Sequence, residues 1–178
     1  MDSFDYIRLI ENLVYKWRRA LAPCGTHYLG NTGMEYMLPI ITYKRICDCM
    51  KEKMIAGEYA DEELLDEWDI YKEAFDDGLL PFEIRKISRW EYVITQKNKA
   101  RALCNAIDVI NELNFCNIPY GDKLIPSFYC SEANAKTLNP IFNEWLEELS
   151  NVDFGKHSLD ADSWQKIAKM MRKTRRWS

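Results

Sequence analysis

A mostly helical domain is what this chain predicts, and three observations predict it. Apolar residues recur every three or four positions across six separate segments, the spacing of a single helix face. The seven glycines and six prolines fall between those segments or at a first helical turn. With 47% hydrophobic and 13% aromatic residues in 178, the chain can bury one sizeable core, so a single globular domain over 1–178 is expected.

The first helix is expected over 3–22, capped by Ser3, with Ile7, Ile10, Leu13, Val14, Trp17 and Leu21 at helical spacing and Pro23 ending it. Residues 24–38 hold three glycines. They read as a short hairpin around Gly30-Asn31-Thr32-Gly33 or as an irregular connection. A small antiparallel sheet of 26–29, 34–38 and 91–95 would follow from the hairpin. The segment lacks both glycine-rich phosphate-loop patterns.

Residues 39–56 make the next helix, with Pro39 in its first turn, Tyr43, Ile46, Cys47, Met50 and Met54 as its stripe, and Gly57 closing it. An acidic helix follows directly, so the two are expected to pair antiparallel. Its stripe is Leu64, Trp68, Tyr71 and Phe75, Asp61 can cap it, and Gly78 is a natural C′ residue. In 79–96, Pro81 could start a helix through Ile84 and Ile87, while the aromatic and β-branched run Trp90–Thr95 favours a strand.

Residues 98–114 are helical, with Asn98 as cap and Leu103, Ile107, Ile110 and Leu113 inward. The connection 115–138 contains Pro119 and Pro126. It is either a functional loop or a short strand at Ser127–Cys130 followed by a short helix near 132–138. Asn139 and Pro140 then open another helix lined by Ile141, Phe142, Trp145 and Leu149. A last helix, 160–176, has Trp164, Ile167, Ala168 and Met171 on one face. With these, the domain has about six or seven helices.

Charge is segregated along this framework. The net charge is only −4, yet residues 58–78 carry ten carboxylates against one lysine, and 156–178 carry seven cations against two carboxylates. Glu62, Asp66, Asp69, Glu73, Asp76 and Asp77 lie opposite the apolar stripe of their helix. Over Glu62–Asp77 they form a rod of negative charge roughly 22 Å long at 1.5 Å per residue. Lys166, Lys169, Arg172, Lys173, Arg175 and Arg176 make the opposite pole, a basic amphipathic helix suited to phosphates, with Trp177 able to stack on a base. A second basic patch, Arg85, Lys86 and Arg89, is interleaved with Trp90 and Tyr92.

Six irregularly spaced cysteines read as free thiols. Cys24 and His27 with Cys47 and Cys49 do not form a zinc pattern, because two helical positions two apart diverge by about 200°. No metal and no cofactor are expected. The weak catalytic candidates are Cys24 and His27, since a thiol nucleophile needs a base nearby. With no signal segment and no apolar run long enough for a bilayer, the expected setting is cytoplasmic and free of membrane.

The function expected first is that of a non-enzymatic protein-binding factor, an inhibitor or adaptor. It would present its acidic face, in the manner of a nucleic-acid mimic, to a basic, nucleic-acid-handling partner. Small accessory proteins of viruses or mobile elements share this profile. The acidic rod could also meet the chain's own basic helix, within a chain or across a homodimer. The alternatives are nucleic-acid binding through the C-terminal helix and a cysteine-dependent enzyme.

Overall fold

Residues 8, 11–13, 15–17, 19, 36–58, 70–115 and 123–155 are those the computed structural model describes. Every regular element among them is helical: α1 (Leu38–Ala56), α2 (Ile70–Asp76), a 3₁₀ turn (Lys86–Ser88), α3 (Trp90–Val93), α4 (Lys99–Leu113) and α5 (Glu132–Ser150). Residues 11–13 and 15–17 are helical too. The buried hydrophobic residues of the α-helices, with Trp17, form one contiguous core.

Helix α1 supplies more buried residues to it than any other element. Pro39 stands in its first turn and Gly57 follows its end, as the spacing predicts. Four of the five stripe residues are buried, with Ile46 partly so. The interior reaches further round, to Ile40, Ile41, Lys44 and Asp48, so that burial from Ile40 to Met54 covers about half the circumference. The segment after α5 closes over it. The Phe154 N–H donates to Asp48 Oδ2 at 2.9 Å, and a Cβ on Gly155 would stand 2.7 Å from the Asp48 carbonyl oxygen. Only glycine lets the two backbones approach so closely.

Helix α2 ends as its sequence demands. Gly78 has φ +85°, its N–H donates to the Phe75 carbonyl at 3.0 Å, and the Leu79 N–H reaches back to Ala74 at 2.9 Å. These two bonds make a Schellman C-cap. Helix α4 is the most regular amphipathic helix. Asn98 Oδ1 caps it by accepting from the Arg101 N–H at 3.1 Å, and Leu103, Ala106, Ile107 and Ile110 are buried.

Its last turn organises two segments that lack regular structure. Asn114 accepts from the Glu83 N–H at 2.8 Å and donates to the Glu83 carbonyl at 2.9 Å. Asn111 does the same to Ile125, at 2.9 Å in each direction. Each side-chain amide stands in for a neighbouring strand, satisfying backbone that would otherwise be buried unpaired. This is why 79–85 needs no helix beginning at Pro81.

Helix α5 corrects two expectations. It begins at Glu132, capped by Ser131 Oγ accepting from Asn134 N, and continues unbroken to Ser150 with Pro140 inside it. The expected short helix near 132–138 and the helix expected to open at Asn139 are therefore one. An interior proline costs about 3 kcal/mol. Here Ala135 and Leu138 extend the apolar face on one side of it, and Phe142, Trp145, Leu146 and Leu149 on the other. Asn139 serves a different helix: its Oδ1 accepts from the Ala100 N–H at 2.8 Å, and its Nδ2 donates to Asn98 at 3.0 Å, closing the start of α4.

The N-terminal helical residues dock on α5. Trp17 stacks on Trp145 with centroids 4.5 Å apart, and its Nε1 donates to Glu148 at 3.1 Å. Tyr36, Phe128 and Phe142 continue this aromatic layer.

The small sheet does not form from the described segments. Residues 36–38 and 91–93 are helical, 94–95 are a turn, and Ser127–Cys130 pairs with no strand. A strand would align Trp90, Tyr92 and Ile94 on one face, but Trp90 is buried together with Val93, and Tyr92 and Ile94 are exposed. That is helical pairing. The segment 26–29 lies outside the described residues, as does 59–69, through which the pairing of α1 with α2 would run.

Candidate functional site

Half of the acidic rod can be placed. Glu62, Asp66 and Asp69 lie outside the described residues. In α2, Ile70, Tyr71 and Ala74 are buried, and Glu73, Asp76 and Asp77 are exposed. The helix is thus oriented as its pattern predicts, apolar stripe inward and carboxylates outward. Lys72 donates to Asp76 at 2.9 Å, an exposed pair of the kind that contributes under about 1 kcal/mol. Arg89 anchors α2 from beneath, its guanidinium 4.3 Å from the centroid of the Tyr71 ring.

That placement dissolves the second basic patch. Arg89 and Trp90 are buried, and Arg85 pairs with Glu83 at 2.7 Å. Lys86 and Tyr92 alone remain exposed. Arg89 sits at the N-cap of α3, where burial of Trp90 and Val93 draws it inward. The basic residues of 160–176, with Cys24 and His27, lie outside the described residues.

Between α1, the 3₁₀ turn and α3 lies a buried polar cluster that sequence reasoning missed. Lys44 and Asp48 pair at 2.5 Å with both side chains almost wholly enclosed. The Lys44 ammonium also stands 5.0 Å from the Trp90 ring centroid. Burial raises the Asp48 carboxyl above its ordinary value, against the lowering influence of Lys44 and the Phe154 N–H. One turn away, the Tyr43 hydroxyl donates to the Ser88 carbonyl at 2.6 Å, and Ser88 Oγ donates to the Ala106 carbonyl at 2.9 Å. Ser88 thus rivets the 3₁₀ turn between α1 and α4. The sequence signal for this cluster was a lysine and an aspartate four apart, on the same side of the helix as Ile40 and Ile41.

The described thiols share one electrostatic character. Burial pushes Cys47 up to about 12 and Cys130 to about 11, and raises Cys49 and Cys104 as well. A thiol so shifted is protonated at neutral pH and is a poor nucleophile. Among the described residues, no group of three or more His, Cys, Asp or Glu is placed to hold a metal ion. None of their helices is long and apolar enough to cross a membrane.

A groove of about 550 Å³ opens between the 3₁₀ turn, α3 and the start of α4. Ile87 and Tyr92 form its apolar side, and Gln96, Lys97, Arg101 and Asn105 its polar side. No carboxylate lines it. Lys99, between the two lining cations, turns inward and donates to the Ile94 and Gln96 carbonyls, closing the turn after α3.

No protein-family model, no curated protein and no solved structure matches this chain.

Proposed function

We propose that the protein is a non-enzymatic binding factor, an inhibitor or adaptor, that presents the acidic surface of residues 62–77 to a basic partner. The observation that carries this reading is the orientation of α2. Tyr71 and Ala74 hold it to the core, and Glu73, Asp76 and Asp77 face solvent at the end of a stretch with nine more carboxylates than cations. Such a surface steers a cationic partner and fixes its register more than it adds affinity. A partner that handles nucleic acid offers the matching basic groove, so this surface would compete with phosphates for it. The raised pKa values of the four described thiols favour this reading over a cysteine nucleophile at those positions.

The test is affinity capture from the native cytosol after nuclease treatment, with the wild type and an Asp69→Lys, Glu73→Lys, Asp76→Lys variant. A stoichiometric protein partner that survives nuclease and is lost on charge reversal, with an unchanged melting temperature, supports the reading. Capture indifferent to the reversal overturns it.

A further inference from the structure

The groove beside α3 has the opposite character to the acidic surface, and it stands on its own observations. Tyr92 and Ile87 are 38% and 42% exposed, large apolar side chains left uncovered on one wall. On the other wall Arg101 and Asn105 lie one helical turn apart on α4, with Lys97 just before the helix. Among the described residues neither Lys97 nor Arg101 has a carboxylate partner, and the Asn105 amide makes no hydrogen bond. Two backbone amides at the start of α4 are already committed, Ala100 N–H to Asn139 and Arg101 N–H to Asn98. An anion held here would rest chiefly on the side chains of Lys97 and Arg101. An unpaired ammonium, an unpaired guanidinium, an unused planar amide and an exposed phenol ring around one open groove is an uneven set for an acidic polypeptide, which needs cations alone.

We propose that this groove binds single-stranded nucleic acid, with a base stacked on Tyr92, phosphates on Lys97 and Arg101, and the Asn105 amide on a base edge. Stacking on an aromatic face together with backbone cations is the chemistry by which single strands are held without strong sequence preference. Asn supplies a donor and an acceptor side by side, the pairing that base edges present. The volume accommodates a ligand of one or a few nucleotides. A long duplex is disfavoured by the net charge of −4 on the chain.

The experiment is fluorescence anisotropy with labelled 12-nucleotide oligo-dT and oligo-rU on the full chain at low salt. Saturable binding is expected, with a log–log salt slope near −1.4 if two phosphates are neutralised. Tyr92→Ala should weaken it about fivefold or more while Tyr92→Phe retains it. Arg101→Ala and Lys97→Glu should each weaken it and flatten the salt slope. Tyr92, Lys97 and Arg101 are all at the surface, and circular dichroism checks that their variants are folded. Absence of binding overturns the proposal. So does binding that survives Tyr92→Ala and Arg101→Ala but is lost with Lys169→Ala, Lys173→Ala, which would place the contact in the C-terminal segment. Displacement by oligoglutamate at equal charge concentration would reassign the groove to an acidic polypeptide. None of these outcomes depends on the acidic surface, so the two readings fail separately.

Discussion

Helices α1 and α4 sit in the same core and are built on different rules. In α4 one apolar face points inward, a side-chain cap closes the start, and the polar positions face solvent or clasp neighbouring backbone. In α1 the interior wraps round far enough to enclose a lysine and an aspartate, which meet each other, the Trp90 ring and the Phe154 N–H. An amphipathic helix can tolerate loss of a polar contact by hydrating the survivor. A helix enclosed so far round cannot, because water hardly reaches the group left behind.

That contrast is broken most directly at Asp48. Asp48→Ala strands an enclosed ammonium and the Phe154 N–H, and should cost about 3–5 kcal/mol in urea unfolding. Lys44→Met combined with Asp48→Leu should recover the part of the loss that comes from the stranded ammonium, while the Phe154 N–H stays unpaired. A small effect for Asp48→Ala would mean that water enters beside α1, and the contrast would collapse. Asn114→Ala is the corresponding test on α4. It unpairs the Glu83 amide and carbonyl and should cost about 1–3 kcal/mol by the same measurement.

Gly78→Ala forces a side chain onto a backbone at φ +85° and should cost about 1 kcal/mol, although its Cβ meets no neighbour. An unchanged melting temperature there would show that α2 ends differently in solution. The surface pair gives the smallest effect: Asp76→Ala should change stability by under about 1 kcal/mol.

The interior of α1 also predicts a pH dependence. Cys47 has an ordinary value of 9.0 and is pushed up to about 12 in the folded chain. The folded state keeps this proton where the unfolded state has lost it. Its contribution is therefore complete below pH 9.0 and is lost as pH rises toward about 12. Tyr43, raised by the same burial, acts in the same direction. Melting temperature should hold up to about pH 8.5 and then fall, less steeply for Cys47→Ala than for the wild type. Equal slopes would place the thiol in contact with solvent.

The mostly helical class, the bounds of α1 and α4, the Asn98 cap and the Gly78 C-cap are all carried by local pattern, and local pattern is what a sequence displays. The misreadings are tertiary. Asn139 looks like a cap for the residues that follow it and instead caps α4, accepting from the Ala100 N–H 39 positions upstream. The Trp90–Thr95 run has strand-forming residues, but Trp90 finds Tyr43 at 5.8 Å and Ser150 as acceptor for its Nε1, and helical backbone is what brings Val93 inward with it. The outward face of the acidic helix was legible as far as it is described. The groove was not, because Tyr92, Lys97 and Arg101 converge only once α3 turns back on α4.

The bond from Phe154 to Asp48 joins groups 106 positions apart. A contact of that separation closes late, since the chain entropy of so long a loop is recovered only when the intervening helices are already packed. The enclosed ion pair thus receives its last ligand near the end of folding. Its removal should act mainly as faster unfolding, leaving the refolding rate nearly unchanged. The residues after α5 work as a latch: they do little to start the fold and much to set how long it lasts.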